Sequence, residues 1–291
     1  MDQFLQLTLT GLTIGAVYAL VALGFVLIYK SSDVINFAQG EFLLIGAYLT
    51  YFFLGQIGLH WSIGIVLTIL AAAALGVIIE RLVLRPLIGE PIISVIMVTI
   101  GLASLLKAIV GGIWGTNPQV FPAFIPKNEV HILGAVVTSD KLWAIAIAVF
   151  FLIVFTLFFR YNKEGIAMRA VADDQQAALS VGISVQKIFA WAWSIAAITA
   201  AVAGIIVANV LEVSPNLSGV GLHVFPVVIL GGLDSVPGAL VGAVIIGLLE
   251  AYAGGYVGDG SLSLVISYIV LVIILMIRPY GLFGKEIIER V

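Results

Sequence analysis

Four stretches of this chain, 3–29, 42–79, 142–159 and 260–277, contain no Asp, Glu, Lys or Arg. About 20 apolar residues carry a helix across a bilayer. In lipid every backbone N–H and C=O must find a partner within the protein. Uninterrupted apolar runs of this length therefore demand helices. A barrel would need apolar and polar residues alternating over about ten positions, and no such alternation occurs. Only 10% of the residues are charged, against about 25% in a soluble domain, and the mean hydropathy is +1.21. The expected fold is all-α, a polytopic membrane helical bundle forming a single transmembrane domain over 1–291.

The apolar periods place spans near 6–29, 36–57, 62–83, 91–113, 141–160, 187–211 and 260–278. With 222–254, which is apolar but broken, they make about eight hydrophobic segments. Pro226, Gly231, Gly232, Pro237 and Gly238 interrupt this last segment, and an unbroken helix is not expected through it. The expectation is a re-entrant or hairpin pair, with 229–240 as non-helical backbone buried in the bundle. The N-terminal "MDQF" lacks a basic leader region, so the first span is expected to stay as an anchor.

Lys and Arg set the expected orientation. Lys30, Arg81, Arg85, Arg160, Lys163, Arg169, Lys187, Arg278, Lys285 and Arg290 are ten of the 13 basic residues, and all fall on one side if the N-terminus is outside. Lys127 and Lys141 belong to the opposite, external connection, and Lys107 lies near the outer end of its span. The C-terminus is then cytoplasmic.

Several chemistries find no support. With no cysteine there is no disulfide. His60, His131 and His223 are scattered, without carboxylates at ligand spacing, so no metal site is expected. "GFVLIYKS" (24–31) has Tyr29 where a phosphate-binding loop needs its second glycine, and it ends an apolar helix. The net charge of −3 suggests no nucleic-acid partner. Neither a serine nucleophile motif nor a chain of intramembrane acids is present, which opposes an intramembrane enzyme and weakens a secondary transporter of small polar metabolites. The intramembrane charge candidates are Glu41, Glu80, Lys107, Asp234 and Glu250; all but Asp234 can be placed near a helix end.

Small residues recur at four-residue spacing in Ala196, Ala200, Gly204 and Ala208, in Gly11–Gly15 and in Gly238–Gly242. Close packing within one bundle is the expected use, with a seam for a second membrane chain as the alternative. Two interrupted segments stand out. In "SSDVINFAQGEF" (31–42), Asn36, Gln39 and Glu41 are polar and Gly40 loosens the helix. It mirrors "ILGGLDSVPGAL" (229–240), with Gly231, Gly232, Asp234, Pro237 and Gly238. Paired interruptions in two halves point to a transport pathway; the bland reading of 31–42 is a short link capping the second span.

"EGIAMRAVADDQQAALSVGIS" (164–184) is the most polar internal stretch. Asp173 can cap a turn whose third position is Gln176, and Gly182 can end it. Met168, Val171, Ala172 and Leu179 fall near one side. The result is a small amphipathic knob facing the cytoplasm, suited to a partner's groove or simply solvated on the headgroups.

This stretch resembles the cytoplasmic coupling loop of ABC-importer permeases, in a pattern carried by Gly165, Arg169, Ala170, Asp174, Ala177 or Ala178, Gly182 and Ile183. "GLTIGAVYALVALGFVLIYKSSDVINFAQGEFLLIGAY" is similar to the LivH-type permease of branched-chain amino-acid importers, and "LGGLDSVPGALVGAVIIGLLEA" to the late Gly-rich segment of that family. The likeness spans nearly the whole chain. Gln39 departs from the family, where many members have His. The resemblance implies a non-catalytic subunit of the bacterial or archaeal cytoplasmic (inner) membrane. It also implies its partners: a second homologous permease, two ATPase subunits that bind ATP and Mg, and a periplasmic or extracellular binding protein. This chain itself needs no cofactor. Branched-chain or related hydrophobic amino acids are the implied cargo, moved by alternating access; urea, amides or aromatic acids are the alternatives among related permeases.

Overall fold

The computed structural model of the protein describes residues 2–132, 135–258 and 260–284. Lys285 and Arg290, used above for orientation, lie outside them. Helix α1 (Asp2–Ser32) is followed by α2 (Gln39–Tyr51), whose last turn widens into a π turn at Phe52–Gln56. Next come α3 (Trp61–Ile79), with its own π turn at Glu80–Leu84, and α4 (Ile92–Trp114). A two-stranded antiparallel ribbon, β1 (Glu129–Ile132) and β2 (Ala135–Thr138), leads into α5 (Ser139–Tyr161). The short α6 (Lys163–Asp173) and α7 (Gln175–Ser180) precede α8 (Val185–Val210). A 3₁₀ turn at Pro215–Gly219 opens α9 (Val220–Gly231), and α10 (Val236–Val257) and α11 (Gly260–Ile277) complete the bundle. The all-α polytopic expectation holds, with the ribbon as its one β addition among the described residues. Among the described residues, six helices are long and apolar enough to cross a bilayer, and Pro215–Gly231 is a shorter apolar one.

The centre is α1 and α8. Their most apolar windows are 83% buried, against 28%, 22% and 17% for α3, α4 and α5. Small residues make this possible. Gly11 lies against Gly247 and Leu248, and Gly15 against Ala243, so α10 runs antiparallel along α1 with backbones nearly touching. On the other side, Gly76 of α3 meets Trp193 and Ser194 of α8. Gly204 meets Leu43 and Ala47, and Gly46 meets Ala201, which seats α2 on α8. The small-residue stripes therefore serve packing within the chain.

The two halves exchange partners. In each, a long buried helix (α1, α8) is followed by a link that breaks the α-helix, a shorter helix (α2, α9) and a longer one (α3, α10). The third helix of each half packs on the first helix of the other, and α1 and α8 are antiparallel: Gly24 faces Ala196, while Thr13 and Val17 face Val210 and Ile206. This is an inverted arrangement. It corrects the pairing drawn from the sequence, because the counterpart of 31–42 is the link after α8, residues 211–219, rather than 229–240.

The broken segment also differs from expectation. Residues 229–231 and 236–240 are helical, and only 232–235 are not. Helix α9 runs through Pro226. Proline cannot bond the carbonyl four residues back, and here that carbonyl, Leu222 O, accepts from the Tyr268 hydroxyl of α11 at 3.2 Å. The helix stops at Gly232, with φ +104°. Its last carbonyls are taken by the chain beyond α11: Leu282 N donates to Leu230 O at 2.8 Å and Phe283 N to Gly231 O at 3.1 Å. Pro237 then occupies the first turn of α10, where a missing N–H costs nothing, and Ser235 caps that helix through Gly238 N at 3.1 Å. The segment is a helical hairpin with a four-residue turn.

Candidate functional site

The residues expected to form a coupling loop fold into a compact knob at one end of the bundle. Asn162 caps α6 through Glu164 N at 2.9 Å. Asp174, not Asp173, caps α7: its Oδ1 accepts from Gln176 N at 2.8 Å and Ala177 N at 2.9 Å. Asp173 instead completes α6, because the cap must have extended backbone and Asp174 does, at φ −159°. Gly182, at φ +86°, ends α7 as expected. Ile183 N bonds Ala178 O at 3.0 Å and Gly182 N bonds Leu179 O at 3.0 Å, the paired bonds of a Schellman stop. Gly165 has a packing role the sequence did not disclose. A Cβ there would meet Phe158 O at 2.5 Å, so only glycine lets α6 fold back on the end of α5.

Met168, Val171 and Ala178 bury the inner face of the knob against Leu23, Leu27, Phe155 and Ile188. Leu179, expected on that face, points outward and is 57% exposed, as are Ile166 (48%) and Val181 (76%). The break at Asp174 restarts the helix in a new phase, so Leu179 does not continue the buried face of α6. Gln175 Nε2 donates to Ser31 O at 3.1 Å and ties the knob to the end of α1. Lys187 Nζ pairs with Glu164 at 2.6 Å. Ala170 is half-buried, and Arg169 is exposed at the rim of a cavity of about 620 Å³ that also touches Lys30, Asp234 and Pro237. The turn 232–235 thus opens beside the knob.

The link after α1 is a second polar feature. Asp33 takes a left-handed conformation, φ 55°, which Asp tolerates better than most residues, and partial burial pushes its carboxyl above the usual range. The chain then turns back into the bundle. Asn36 and Gln39 are fully buried. Asn36 Oδ1 accepts from Ala38 N at 3.0 Å and its Nδ2 donates to Gln39 Oε1 at 3.1 Å. Gln39 Nε2 donates to Ala196 O at 3.1 Å, well inside α8. Thr99 of α4 contacts Phe37 N and Ile35 O. Irregular backbone is tolerated at such a place because protein covers it and satisfies it. Gly40 abuts Ser218 and Gly221, so the first turns of α2 and α9 cross in direct backbone contact. Glu41 lies in the first turn of α2, is 8% exposed, and interacts electrostatically with Lys107 of α4.

A third cluster escaped sequence reading. Glu250 was placed near a helix end, but it lies in the fifteenth position of the 22-residue α10 and is 7% exposed. Tyr18 donates to its Oε2 at 2.7 Å and Ser267 to its Oε1 at 2.9 Å. His223 Nδ1 is 3.1 Å from the Tyr18 hydroxyl. Glu80, by contrast, is near a helix end and is gripped by Arg85, whose Nε and Nη2 donate to its two oxygens at 3.0 and 2.8 Å. No group of three or more His, Cys, Asp or Glu that could hold a metal occurs among the described residues.

An inverted pair of helical halves, each with an interrupted segment at its centre and a rigid polar knob at one end, defines a membrane transport permease. The family described as branched-chain amino acid transport system / permease component matches residues 7–275, and the chain belongs to it. It is 30% identical to the high-affinity branched-chain amino acid transport system permease protein LivH of Salmonella typhimurium over 99% of this chain and 98% of that one. Identity to the high-affinity branched-chain permease BraD of Pseudomonas aeruginosa is 31%, with the same coverage. The probable permease LivH of Methanocaldococcus jannaschii is 29% identical over 92% of this chain and 88% of its own. Among solved structures, PsaBC from Streptococcus pneumoniae in complex with Fab shares the fold, with a TM-score of 0.52 at 15% identity over 96% of this chain and 93% of that chain.

Proposed function

We propose that this multi-pass membrane protein is the permease subunit of an ABC importer for branched-chain or closely related aliphatic amino acids. It works with a second permease, two ATPases and an external binding protein. It hydrolyses no nucleotide itself. The reading is carried by the end-to-end likeness to LivH and BraD, whose names state that cargo. The knob of α6 and α7 supports the mechanical part. It is tied to α1 by Gln175, to α8 by the Glu164–Lys187 pair and to α5 by Gly165. A push on its exposed face therefore reaches all three helices, which suits a device that converts ATPase closure into alternating access.

The test is reconstitution of the chain with its partner subunits in proteoliposomes. ATP-dependent accumulation of L-leucine, L-isoleucine and L-valine in the presence of binding protein is the expected result. Accumulation of urea, short amides or aromatic acids without these three amino acids would replace the cargo. Accumulation driven by an ion gradient without ATP would replace the mechanism.

A further inference from the structure

The buried cluster around Glu250 ends at an open groove, and its hydrogen-bond directions follow from taking Glu250 as ionised. The Tyr18 hydroxyl has one proton, which it gives to Glu250 Oε2 at 2.7 Å. Toward His223 Nδ1, at 3.1 Å, it can only accept. A neutral His223 therefore carries its proton on Nδ1, leaving Nε2 as a bare acceptor. Ser267 holds the other carboxylate oxygen at 2.9 Å. The anionic charge of Glu250 is thus relayed through Tyr18 to the imidazole, and each bond polarises the next.

His223 is the member of this relay that reaches open space. Its side chain is 31% exposed, against 7% for Glu250. It stands at the junction of two cavities. One, of about 690 Å³, is an open groove on the bundle surface between α9 and α11, walled by Leu222, Val265, Ile269, Val272 and Ile273, each about half exposed. The other, of about 650 Å³, is mostly apolar, lined by Leu211, Leu217 and Val220, with Glu212, Ser214 and Asn216 of the link after α8 as its polar groups. One polarised acceptor, with an aliphatic wall on one side and an acidic, hydroxylated mouth on the other, has a specific complement. That complement is a primary ammonium on a short aliphatic chain.

We infer that His223, backed by Tyr18 and Glu250, forms an intramembrane subsite that takes the ammonium group of an aliphatic amine or amino acid, with the hydrocarbon seated between α9 and α11. The subsite deepens the proposed function and rests on it for the identity of the natural ligand. The ammonium donates to Nε2, a charge-assisted bond that a carboxylate or a plain hydrocarbon cannot make. Its cost of leaving water is offset by the Glu250 charge behind the imidazole. The relay also gives Glu250 a reason to be inside the bundle, where an unneutralised carboxylate is expensive.

The chain has only three histidines, His60, His131 and His223, so the first two are internal references for a modification assay. The assembled importer in nanodiscs is treated with diethylpyrocarbonate, which acylates unprotonated imidazole nitrogen, and each histidine peptide is followed by mass spectrometry. Three probes of similar size are compared: L-leucine, isopentylamine and 4-methylpentanoate. L-Leucine and isopentylamine should slow modification of His223 about tenfold at saturation, leaving His60 and His131 unchanged, and 4-methylpentanoate should not. Glu250→Gln should raise the isopentylamine concentration needed for protection by about tenfold, the scale of one charge-assisted bond. Equal protection by 4-methylpentanoate would mean that the cavity merely takes apolar molecules and would overturn the subsite. Unchanged His223 reactivity with both amines would do the same. Amine protection in an importer that accumulates no leucine would leave the subsite standing and remove the cargo reading instead, so the two failures are distinguishable.

Discussion

Gln39 shows how one side chain holds an irregular link inside an apolar bundle. Its amide reaches Ala196 O only because residue 24 is glycine; a Cβ there would collide with Gln39 Nε2. Gln39→Leu removes the bond and leaves the Asn36 amide without its buried acceptor. An unsatisfied buried polar group costs about 1–3 kcal/mol, so this variant should unfold at lower temperature in detergent, and Gly24→Ala should do the same by collision. Gly232 is constrained twice. Its φ of +104° disfavours any side chain, and a Cβ would meet Gly284 N at 2.5 Å. Gly232→Leu should therefore yield little folded protein by size-exclusion chromatography. Gly101→Ala, which meets open space on the outside of α4, should elute and melt as the parent does. If Gly232→Leu matches Gly101→Ala, the chain beyond α11 does not seal the turn as described.

At the scale of elements, the knob is the part on which the proposed mechanism depends. Arg169→Glu reverses a charge on its exposed side, and Leu179→Asp puts a carboxylate into its outward apolar patch. Gly182→Val forces a β-branched residue into φ +86° and should unwind the Schellman stop. All three should lower ATPase co-purification and coupled transport by about tenfold or more, the scale of losing an interface anchor, while membrane insertion stays normal. Retention of full ATPase stoichiometry and uptake by all three would reduce the knob to a solvated connection. The knob was legible in sequence because its caps are local: Asp174 and Gly182 act within three residues of themselves, and polarity between two apolar runs fixes where it emerges. Which of two adjacent aspartates caps α7 was not legible, since that depends on the backbone angle at the junction with α6. Asn36 and Gln39 were visible as polar residues, but their depth was not, because it is set by Gly24 and Ala196. Of Tyr18, His223, Glu250 and Ser267, only Glu250 stood out in the sequence, as an intramembrane charge, and nothing there linked it to the others. They lie on four helices and span 250 positions, and each of the other three alone reads as an ordinary polar residue in a span.

At the scale of the whole molecule, the exchange of partners between halves fixes how the chain threads the membrane. Lys30, Arg160, Arg169, Asp234 and the turn before α10 share one cavity, so they lie at one end of the bundle. At the other end, Lys141 Nζ donates to Thr10 Oγ1 at 3.1 Å, Lys127 Nζ to Val210 O at 3.4 Å, and Asn209 Oδ1 accepts from Phe124 N at 3.2 Å. On the basic-residue bias the first end is expected in the cytoplasm. If α9 and α10 form a complete hairpin from the outside, its turn must be reachable from the cytoplasm and the end of α10 from outside. The chain has no cysteine, so single cysteines can be introduced without prior removal of others. Asn128→Cys and Tyr256→Cys, both exposed, should react with an impermeant maleimide added outside intact cells. Lys163→Cys and Pro237→Cys, also exposed, should react only in inverted vesicles. A reversed pattern at all four would invert the orientation and leave the fold intact. Outside labelling of Pro237→Cys alone, with Lys163→Cys still cytoplasmic, would mean that the turn never reaches the inner surface. The hairpin would then be re-entrant, and the knob and the turn could not share the cavity that joins them here.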